Sequence, residues 1–310
     1  MAKTLRDAGE QAVVRRLVAL SESSRATPVM DDCAVIRAGG KHLVLTTDIL
    51  AASTHFPEGA GPELIGWHSA AVTFSDVAAM GARPLGLLLA LSMPHDTEVK
   101  IVEGVMRGAK LCADSCGSHI VGGDTKEGKE FVACTSALGI VESGRPLMRS
   151  GCRKGDMLCH TGKIGRAALW QLRGKRSLVE PMLRFQPRVG EGMALQALGA
   201  TSCIDLSDGL ALSTHYLAEA SGVGFGIDLD VMGFHEGLRR GEKEKALYLG
   251  GDYELLFTVP RAKAHAAIEE LMALGTEAHV IGEAKGKGVM AEAEGKARKL
   301  PKDGYEHFKS

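Results

Sequence analysis

The stretch GPELIGWHSAAVTFSDVAAMGARP, residues 61–84, places the strongest constraint on how this chain can fold. Pro62 suits the first turn of a helix and a second proline lies beyond its end, so the spacing predicts one helix between them. This helix is apolar on nearly every side, which predicts that it is buried. Asp76 lies inside it with no lysine or arginine three or four residues away, and an unpaired buried carboxylate is costly. Ser69, Thr73 and Asp76 form a polar track that leaves room for a bound ion.

Other acids lie where predicted strands end or helices begin. Asp48 closes the apolar strand HLVLTTD, directly after the hydroxyls of Thr46 and Thr47. The further acids of this kind are Asp31 and Asp32 before CAVI, Asp124 after a strand and a glycine turn expected at Gly122 and Gly123, Asp205 at the end of SCID, and Asp208 at the start of the next helix. Mg²⁺ prefers oxygen ligands and bridges a few carboxylates to substrate phosphates. With Asp76, these acids predict a site for hard divalent cations.

Each of these acids also has an ordinary structural explanation. An isolated Asp at a strand end is more often a cap or turn residue than a metal ligand. Asp208 suits a helix N-terminus because the helix dipole favours a negative charge there. Spacing along the chain does not by itself bring the acids together in space, so both explanations stay open on the residues alone.

The chain of 310 residues is long enough for two domains. Short strands alternate with helices, but strands follow one another too often for a doubly wound parallel sheet. We therefore predict an α+β fold with two mixed α/β-layer domains. The segment 143–156 is rich in Gly, Arg and Ser and predicts the boundary, with an N-terminal domain over 1–145 and a C-terminal domain over 146–310.

Composition excludes several classes of partner. The formal net charge of −1 gives nucleic acid or an anionic membrane no general attraction. No apolar run reaches the length of a membrane span, and the first residues do not resemble a signal peptide. The seven cysteines contain no C-x-x-C pair. Cys112 and Cys116, at i and i+4, are more readily small packing groups than metal ligands, and a reducing cytoplasm is expected.

A longer pattern of motifs resembles a known family. The blocks DDCAV, LTTDIL, FSDVAAMGARP, GGDT, RPLMRSGCRKGD, IDLSDGL, DYELLFTVP and GYEHF follow one another from about Met30 to Phe308. In this order they resemble thiamine-monophosphate kinase, of the aminoimidazole-ribonucleotide synthetase superfamily of ATP-dependent enzymes. The resemblance covers nearly the whole chain. It implies a homodimer whose N-terminal domains join through their sheets into a barrel-like core, with the C-terminal domain covering the cleft.

The resemblance also implies an activity and a set of site residues. The reaction is transfer of the ATP γ-phosphoryl group onto thiamine phosphate, with Mg²⁺. The implied Mg²⁺ ligands are Asp32, Thr46, Thr47, Asp48, Asp76, Asp124, Asp205 and Asp208. Of these, Asp48, Asp76, Asp124 and Asp208 are expected to be the catalytic residues. The implied nucleotide contacts are Gly123, Asp124, Arg149 and Ser207, and the implied thiamine phosphate contacts are His55 and Tyr305.

Several positions depart from the family pattern and keep alternatives open. The acidic residue expected before the DYEL block is Gly251, and the aromatic residue expected near the adenine is missing from 105–107. One alternative is another ATP-dependent enzyme of the superfamily, acting on a different small phosphate or amide. A second is a nucleotide-binding relative without catalytic activity. The TGKIG stretch at 161–165 lacks the full P-loop frame and is not counted as a phosphate loop.

Overall fold

The computed structural model describes residues 4–21 and 30–308 and contains two β-sheets flanked by helices. The mixed α/β prediction with two domains is confirmed. The strands are β1 Ala34–Ala38, β2 Lys41–Ala51, β3 Arg83–Met93, β4 Ile120–Glu127, β5 Val132–Val141, β6 Met157–Thr161, β7 Ser202–Asp205, β8 Phe225–Asp228, β9 Leu255–Val259, β10 Ala278–Ala284, β11 Val289–Ala293 and β12 Lys296–Lys299. The helices are α1 Leu5–Ala8, α2 Glu10–Ser21, α3 Ala52–His55, α4 Pro62–Ala79, α5 Val99–Ser115, α6 Arg166–Arg173, α7 Val179–Leu183, α8 Val189–Leu198, α9 Leu210–Ser221, α10 Arg240–Ala246 and α11 Ala264–Ala273.

The first sheet has five strands in the order β1-β2-β5-β3-β4 and does not close into a barrel within the described residues. Strands β2 and β5 pair antiparallel over ten residues each, and β3 and β4 pair parallel. One face of this sheet packs on α4 and α5. The opposite face, called the outer face below, carries exposed apolar side chains: Ile36, Leu45, Ile49, Leu88 and Val121.

Helix α4 is the buried helix that the sequence predicts. It begins at Pro62 and ends at Ala79, and most of its residues are inaccessible to solvent. It lies against the first sheet, α5, α8 and β7, so it connects the two halves of the molecule. It crosses α5 closely because Gly66 has no side chain: a Cβ there would lie 1.8 Å from the Val105 carbonyl oxygen.

The second sheet has seven strands in the order β12-β11-β8-β10-β6-β9-β7. Strand β7 lies at one edge, pairs antiparallel with β9 and contacts α4. Its last residue, Asp205, therefore reaches the first half of the chain. None of the helices in the described part of the chain is long and apolar enough to cross a membrane.

Two local expectations have different outcomes. Cys112 and Cys116 pack as small groups in the core of the first half, as predicted. The glycine turn expected at Gly122 and Gly123 is wrong, because both residues lie inside β4. A Cβ on Gly123 would lie 1.8 Å from the Leu89 carbonyl oxygen, so glycine is required there by the close pairing of β4 with β3.

Candidate active site

Strand β2 sends alternate side chains to opposite faces of the first sheet. Thr46 and Asp48 point toward α4, where the Thr46 hydroxyl donates to an Asp76 carboxylate oxygen at 2.5 Å. The Thr73 hydroxyl of α4 donates to Asp48 at 2.8 Å. Thr47 points to the outer face, where its hydroxyl donates to the Thr135 carbonyl oxygen. The LTTD motif thus delivers one hydroxyl and one carboxylate to the interior.

Three acids from distant parts of the sequence meet beside α4. One carboxylate oxygen from each of Asp32, Asp76 and Asp205 lies within 4.8 Å of the others. Asp32 precedes β1, Asp76 lies in α4 and Asp205 ends β7. The Ser75 hydroxyl donates to Asp205 at 2.6 Å. Both halves of the molecule therefore contribute to this cluster, which we call the acidic cluster.

The environment of the acidic cluster disfavours bare negative charge. Burial, followed by the charges of Asp48 and Asp205, raises the pKa of Asp76 well above its ordinary value. Burial and then the charge of Asp32 raise the pKa of Asp205 to about 7. Burial likewise raises the pKa of Asp48, against the lowering effect of the Thr73 hydrogen bond. A divalent cation would offset this repulsion, and an all-oxygen donor set is the type that Mg²⁺ prefers.

Arg149 lies beside the acidic cluster. Its guanidinium donates to Asp32 at 2.9 Å, and its backbone N–H donates to both oxygens of Asp31 at 3.0 and 3.1 Å. Burial lowers the pKa of Arg149, but the charge and hydrogen bond of Asp32 outweigh it and the net shift is upward. Its guanidinium also lies 5.4 Å from the centre of the Tyr216 ring. Arg149 is thus a fixed, fully charged group at the edge of the cluster.

Asp208 and Ser207 lie in the loop between β7 and α9. Burial and then the charge of Glu10 raise the pKa of Asp208 to about 6. The backbone oxygen of Ser207 accepts from Gly251 at 2.8 Å, and that of Asp208 accepts from Tyr305 at 2.9 Å. This loop therefore connects the acidic cluster to the segments that carry Gly251 and Tyr305.

A cleft of about 570 Å³ opens beside Asp48 and Asp208. Both residues predicted to contact the acceptor line it, namely His55 and Tyr305. Its walls also include residues that the sequence reasoning did not select: Glu10, His68, Trp170, Gln171, Tyr253 and His307. These residues come from α2, α4, α6, the 250–253 loop and the C-terminal segment, and local sequence patterns give no signal that such segments meet.

His55 is held by hydrogen bonds on one side of its ring. Its Nδ1 accepts from the backbone N–H of Ala51 at 3.3 Å and lies 2.7 Å from the Thr54 hydroxyl. Burial, followed by the nearby His307, lowers the pKa of His55, so its neutral form is favoured. A neutral ring that accepts at Nδ1 carries its proton on Nε2. His55 therefore offers a single N–H donor.

Gly251 lines the same cleft with a φ of +103° and no side chain. The adjacent Asp252 does not replace a missing carboxylate in the cleft. It is buried, and its side chain accepts from the backbone N–H groups of Gly165 at 2.7 Å and Ala167 at 3.1 Å, at the start of α6. Asp252 is therefore a helix-capping residue.

Asp124 and Gly123 do not join the acidic cluster within one chain. Asp124 is exposed on β4. The cross-strand pairs of β4 with β3, of β3 with β5 and of β5 with β2 align Asp124 with Ile49, so Asp124 faces the outer side. Two strands lie between β4 and β2, a separation of about 14 Å at the usual strand spacing. Ser69 also differs from expectation, because its hydroxyl donates to the Ile65 carbonyl of its own helix.

Comparison with known proteins decides the family. The N-terminal domain model of AIR synthase related proteins matches residues 30–141, and the corresponding C-terminal domain model matches residues 155–292. The thiamine-monophosphate kinase of Methanospirillum hungatei JF-1 is 38% identical over 278 residues, which cover 89% of this chain and 92% of that protein. This chain belongs to the thiamine-monophosphate kinase family.

Further members and solved structures are similar over nearly the full length. The thiamine-monophosphate kinase of Escherichia coli K12 is 34% identical, with 97% of this chain and 98% of that protein covered. The structure described as "AaThiL complexed with AMPPCP and TMP" superposes with a TM-score of 0.86 at 28% identity, covering 99% of each chain. The HypE–HypF complex, at 22% identity and a TM-score of 0.77 over 94% of this chain and 99% of that one, shares the fold.

Proposed function

We propose that this chain transfers the γ-phosphoryl group of ATP directly onto thiamine phosphate, giving ADP and thiamine diphosphate. The acidic cluster beside an acceptor-sized cleft supports this most strongly, in a chain 38% identical to a thiamine-monophosphate kinase. The solved relative described as complexed with AMPPCP and TMP has the same fold over 99% of both chains. Phosphoryl transfer between two anions depends mainly on positioning and charge neutralisation, which such a site provides.

The residues that would hold Mg²⁺ are those of the acidic cluster and its immediate neighbours. Asp32, Asp76 and Asp205 offer oxygens within 4.8 Å of one another, and the charge of Asp48 raises the pKa of Asp76. Asp208 closes the same site from the β7–α9 loop. When bound, Mg²⁺ neutralises phosphate charge and holds the phosphates in line for transfer.

The chain's own hydroxyl and guanidinium groups prepare this site. Thr46, Thr73 and Ser75 each donate to a carboxylate, so the oxygens are oriented before any ligand binds. Arg149 is held by Asp31 and Asp32 and presents a planar fork suited to nucleotide phosphate oxygens. Ser207, in the adjoining loop, is the second proposed nucleotide contact.

The cleft would receive thiamine phosphate. His55 offers an N–H donor for the phosphate of this ligand. Tyr305, from the C-terminal segment, lines the same cleft. We propose that the domain over 1–145 supplies most of the cation site and that the domain over 146–310 closes the cleft.

The proposed homodimer would form through the outer face of the first sheet. This face exposes apolar side chains that a second copy would cover. Thr47 of β2 and Asp124 of β4 point to this face, and Gly123 adjoins Asp124 in β4, so their proposed ligand and nucleotide roles depend on the dimer.

A turnover assay with a panel of acceptors tests this function. The protein is incubated with Mg²⁺, ATP and either thiamine phosphate, thiamine, or phosphates of comparable size without a thiazolium ring. We expect ADP and thiamine diphosphate in equal amounts with thiamine phosphate alone. Equal or faster turnover with another acceptor would assign the chain to a different reaction of the superfamily. ATP binding without turnover on any acceptor would make it a nucleotide-binding relative.

A further inference from the structure

The cleft beside the acidic cluster has an electronegative wall. Three carboxylates line it, those of Glu10, Asp48 and Asp208, and none of its described lining residues is a lysine or arginine. Burial lowers the pKa of His68 to about 3, and burial and His307 lower the pKa of His55, so neither ring supplies positive charge near neutral pH. A cleft of this kind favours a ligand that carries a positive charge.

Glu10 differs from the other two carboxylates of the cleft. Asp48 and Asp208 adjoin the acidic cluster and belong to the proposed cation site. Glu10 comes from the first residue of α2, and no lysine or arginine within residues 4–21 and 30–308 forms an ion pair with it. Its charge is therefore available to a ligand in the cleft.

The Glu10 side chain is held in place by the C-terminal segment. Its Oε2 accepts from the backbone N–H of His307 at 2.8 Å. The next residue, Gln11, donates through its side-chain amide to the Tyr216 hydroxyl. The donor is a neutral backbone N–H, so this contact orients the carboxylate without pairing it with a cation.

The aromatic lining of the cleft matches a flat cation. Trp170, Tyr253 and Tyr305 line it with Glu10. Tyr253 is fixed by stacking on Phe185, with ring centroids 4.3 Å apart. Aromatic faces attract cationic rings, and a carboxylate in the same cleft adds a direct counter-charge. Burial and then the charge of Glu10 raise the pKa of Tyr305, which lines the same cleft.

We infer that Glu10 is a specificity residue whose carboxylate provides the counter-charge for the thiazolium ring of the acceptor. This inference rests on the proposed function, because the thiazolium ring is the permanently positive part of thiamine phosphate. The phosphate end of the acceptor lies toward Asp48 and the ring end toward Glu10. The cleft thereby separates the two opposite charges of one ligand.

A charge-matched pair of ligands tests the role of Glu10. Thiamine phosphate and an isosteric analogue, in which the ring nitrogen that bears the charge is replaced by carbon, are titrated calorimetrically with Mg²⁺ and a non-hydrolysable ATP analogue present. We expect wild-type protein to prefer the charged ligand by about tenfold, the effect of one favourable charge contact. In Glu10→Gln the preference should fall to about twofold or less. The amide oxygen still accepts from His307, so the segment stays in place.

Two further variants separate charge from structure. Glu10→Asp retains the charge and should keep most of the preference. Glu219→Gln removes a carboxylate of α9 that lines the neighbouring cavity but not this cleft, and should leave the preference unchanged. The inference is overturned if Glu10→Gln keeps the wild-type preference, or if it weakens both ligands equally. Wild-type protein that neither binds nor phosphorylates thiamine phosphate would overturn the proposed function itself, and the inference with it.

Discussion

Asp76 is the residue whose surroundings most strongly support the proposed cation site. It is a carboxylate in a buried helix, with a threonine hydroxyl as its side-chain donor and other acids as its nearest charged groups. Its burial without a cationic partner would cost several kcal/mol if it stayed ionised. A protein can keep such a group because ligand binding, rather than folding, supplies the compensating charge. The same reasoning applies to Asp205, whose pKa is raised to about 7.

Asp48→Asn tests the proposed catalytic role of the strand-end acid. The change keeps the volume and the hydrogen bond from Thr73 but removes the charge. We expect kcat to fall by about 100-fold or more, as when a metal ligand or its support is lost, with the unfolding midpoint nearly unchanged. Steady-state kinetics and thermal unfolding measure both.

The matched control for that variant is Asp228→Asn. Asp228 also ends a strand, β8, but its carboxylate accepts from the backbone N–H of Asp230 at 2.9 Å in an exposed turn. It represents the ordinary structural role of a strand-end acid, so its turnover should be that of wild type. Wild-type turnover in Asp48→Asn as well would remove Asp48 from the catalytic residues.

His160 predicts a pH dependence of stability. It is fully buried in β6, and burial, with a further effect of His279, lowers its pKa from 6.5 to about 4. Above pH 6.5 neither state binds the proton, and the stability is fully present. As the pH falls from 6.5 to 4, only the unfolded state binds it, so stability is lost, by about 3 kcal/mol in total.

Urea unfolding at pH 7 and pH 4 measures this effect against His160→Leu. The variant lacks the titrating group, so it should lose about 3 kcal/mol less than wild type over that interval. His265→Leu, at an exposed position of α11, should follow the wild-type pH dependence. If wild type and His160→Leu lost the same free energy of unfolding between pH 7 and pH 4, His160 would titrate alike in the folded and unfolded states, which would contradict the prediction.

The separate acids of the site were predictable from sequence, but their convergence was not. Their types and strand-end positions indicated a cation site, whereas the hydrogen bond from Ser75 to Asp205 joins residues 130 positions apart. Only the family pattern connected them. Asp31 is a second example of a contact that the sequence did not predict. Its position suits a turn residue, but in the structure its carboxylate accepts from the backbone N–H of Arg149.

At the scale of elements, α4 organises the molecule because it packs against both halves. Its bounds follow from local signals, with Pro62 at the start and glycine and proline after the end. Strand β4 shows the opposite case. Its two glycines predict a turn by local preference, but parallel pairing with β3 extends the strand through them. Tertiary pairing overrides local preference where the partner strand is distant in sequence.

Gly66→Ala tests the close crossing of α4 and α5. The added Cβ would lie 1.8 Å from the Val105 carbonyl oxygen, so the helices must move apart. We expect a loss of about 3 kcal/mol in the free energy of unfolding, measured in urea. Gly190→Ala, in helix α8 with no atom within 4 Å of the new Cβ, should be stabilised by up to about 1 kcal/mol. Equal stability of the two variants would contradict the packing account.

At the scale of the whole molecule, the outer face determines the expected assembly. Leu88 of β3 lies on this face and is 48% exposed in the single chain. We expect wild-type protein to sediment as a dimer and Leu88→Lys to sediment as a monomer with reduced turnover, since a buried lysine opposes association. Val99→Lys, at the exposed start of α5, should remain dimeric. A monomeric wild type with full activity would exclude the dimer and, with it, the proposed role of Asp124.

The central claim is direct transfer of the terminal phosphoryl group of ATP onto thiamine phosphate. The most direct test uses ATP labelled at the γ-phosphate, with Mg²⁺, thiamine phosphate and either wild-type protein or Asp48→Asn. We predict that wild-type protein places the label in the terminal phosphate of thiamine diphosphate, one for each ADP formed, and that Asp48→Asn does so at least about 100-fold more slowly. Label released as inorganic phosphate, or found on another acceptor, would contradict the account.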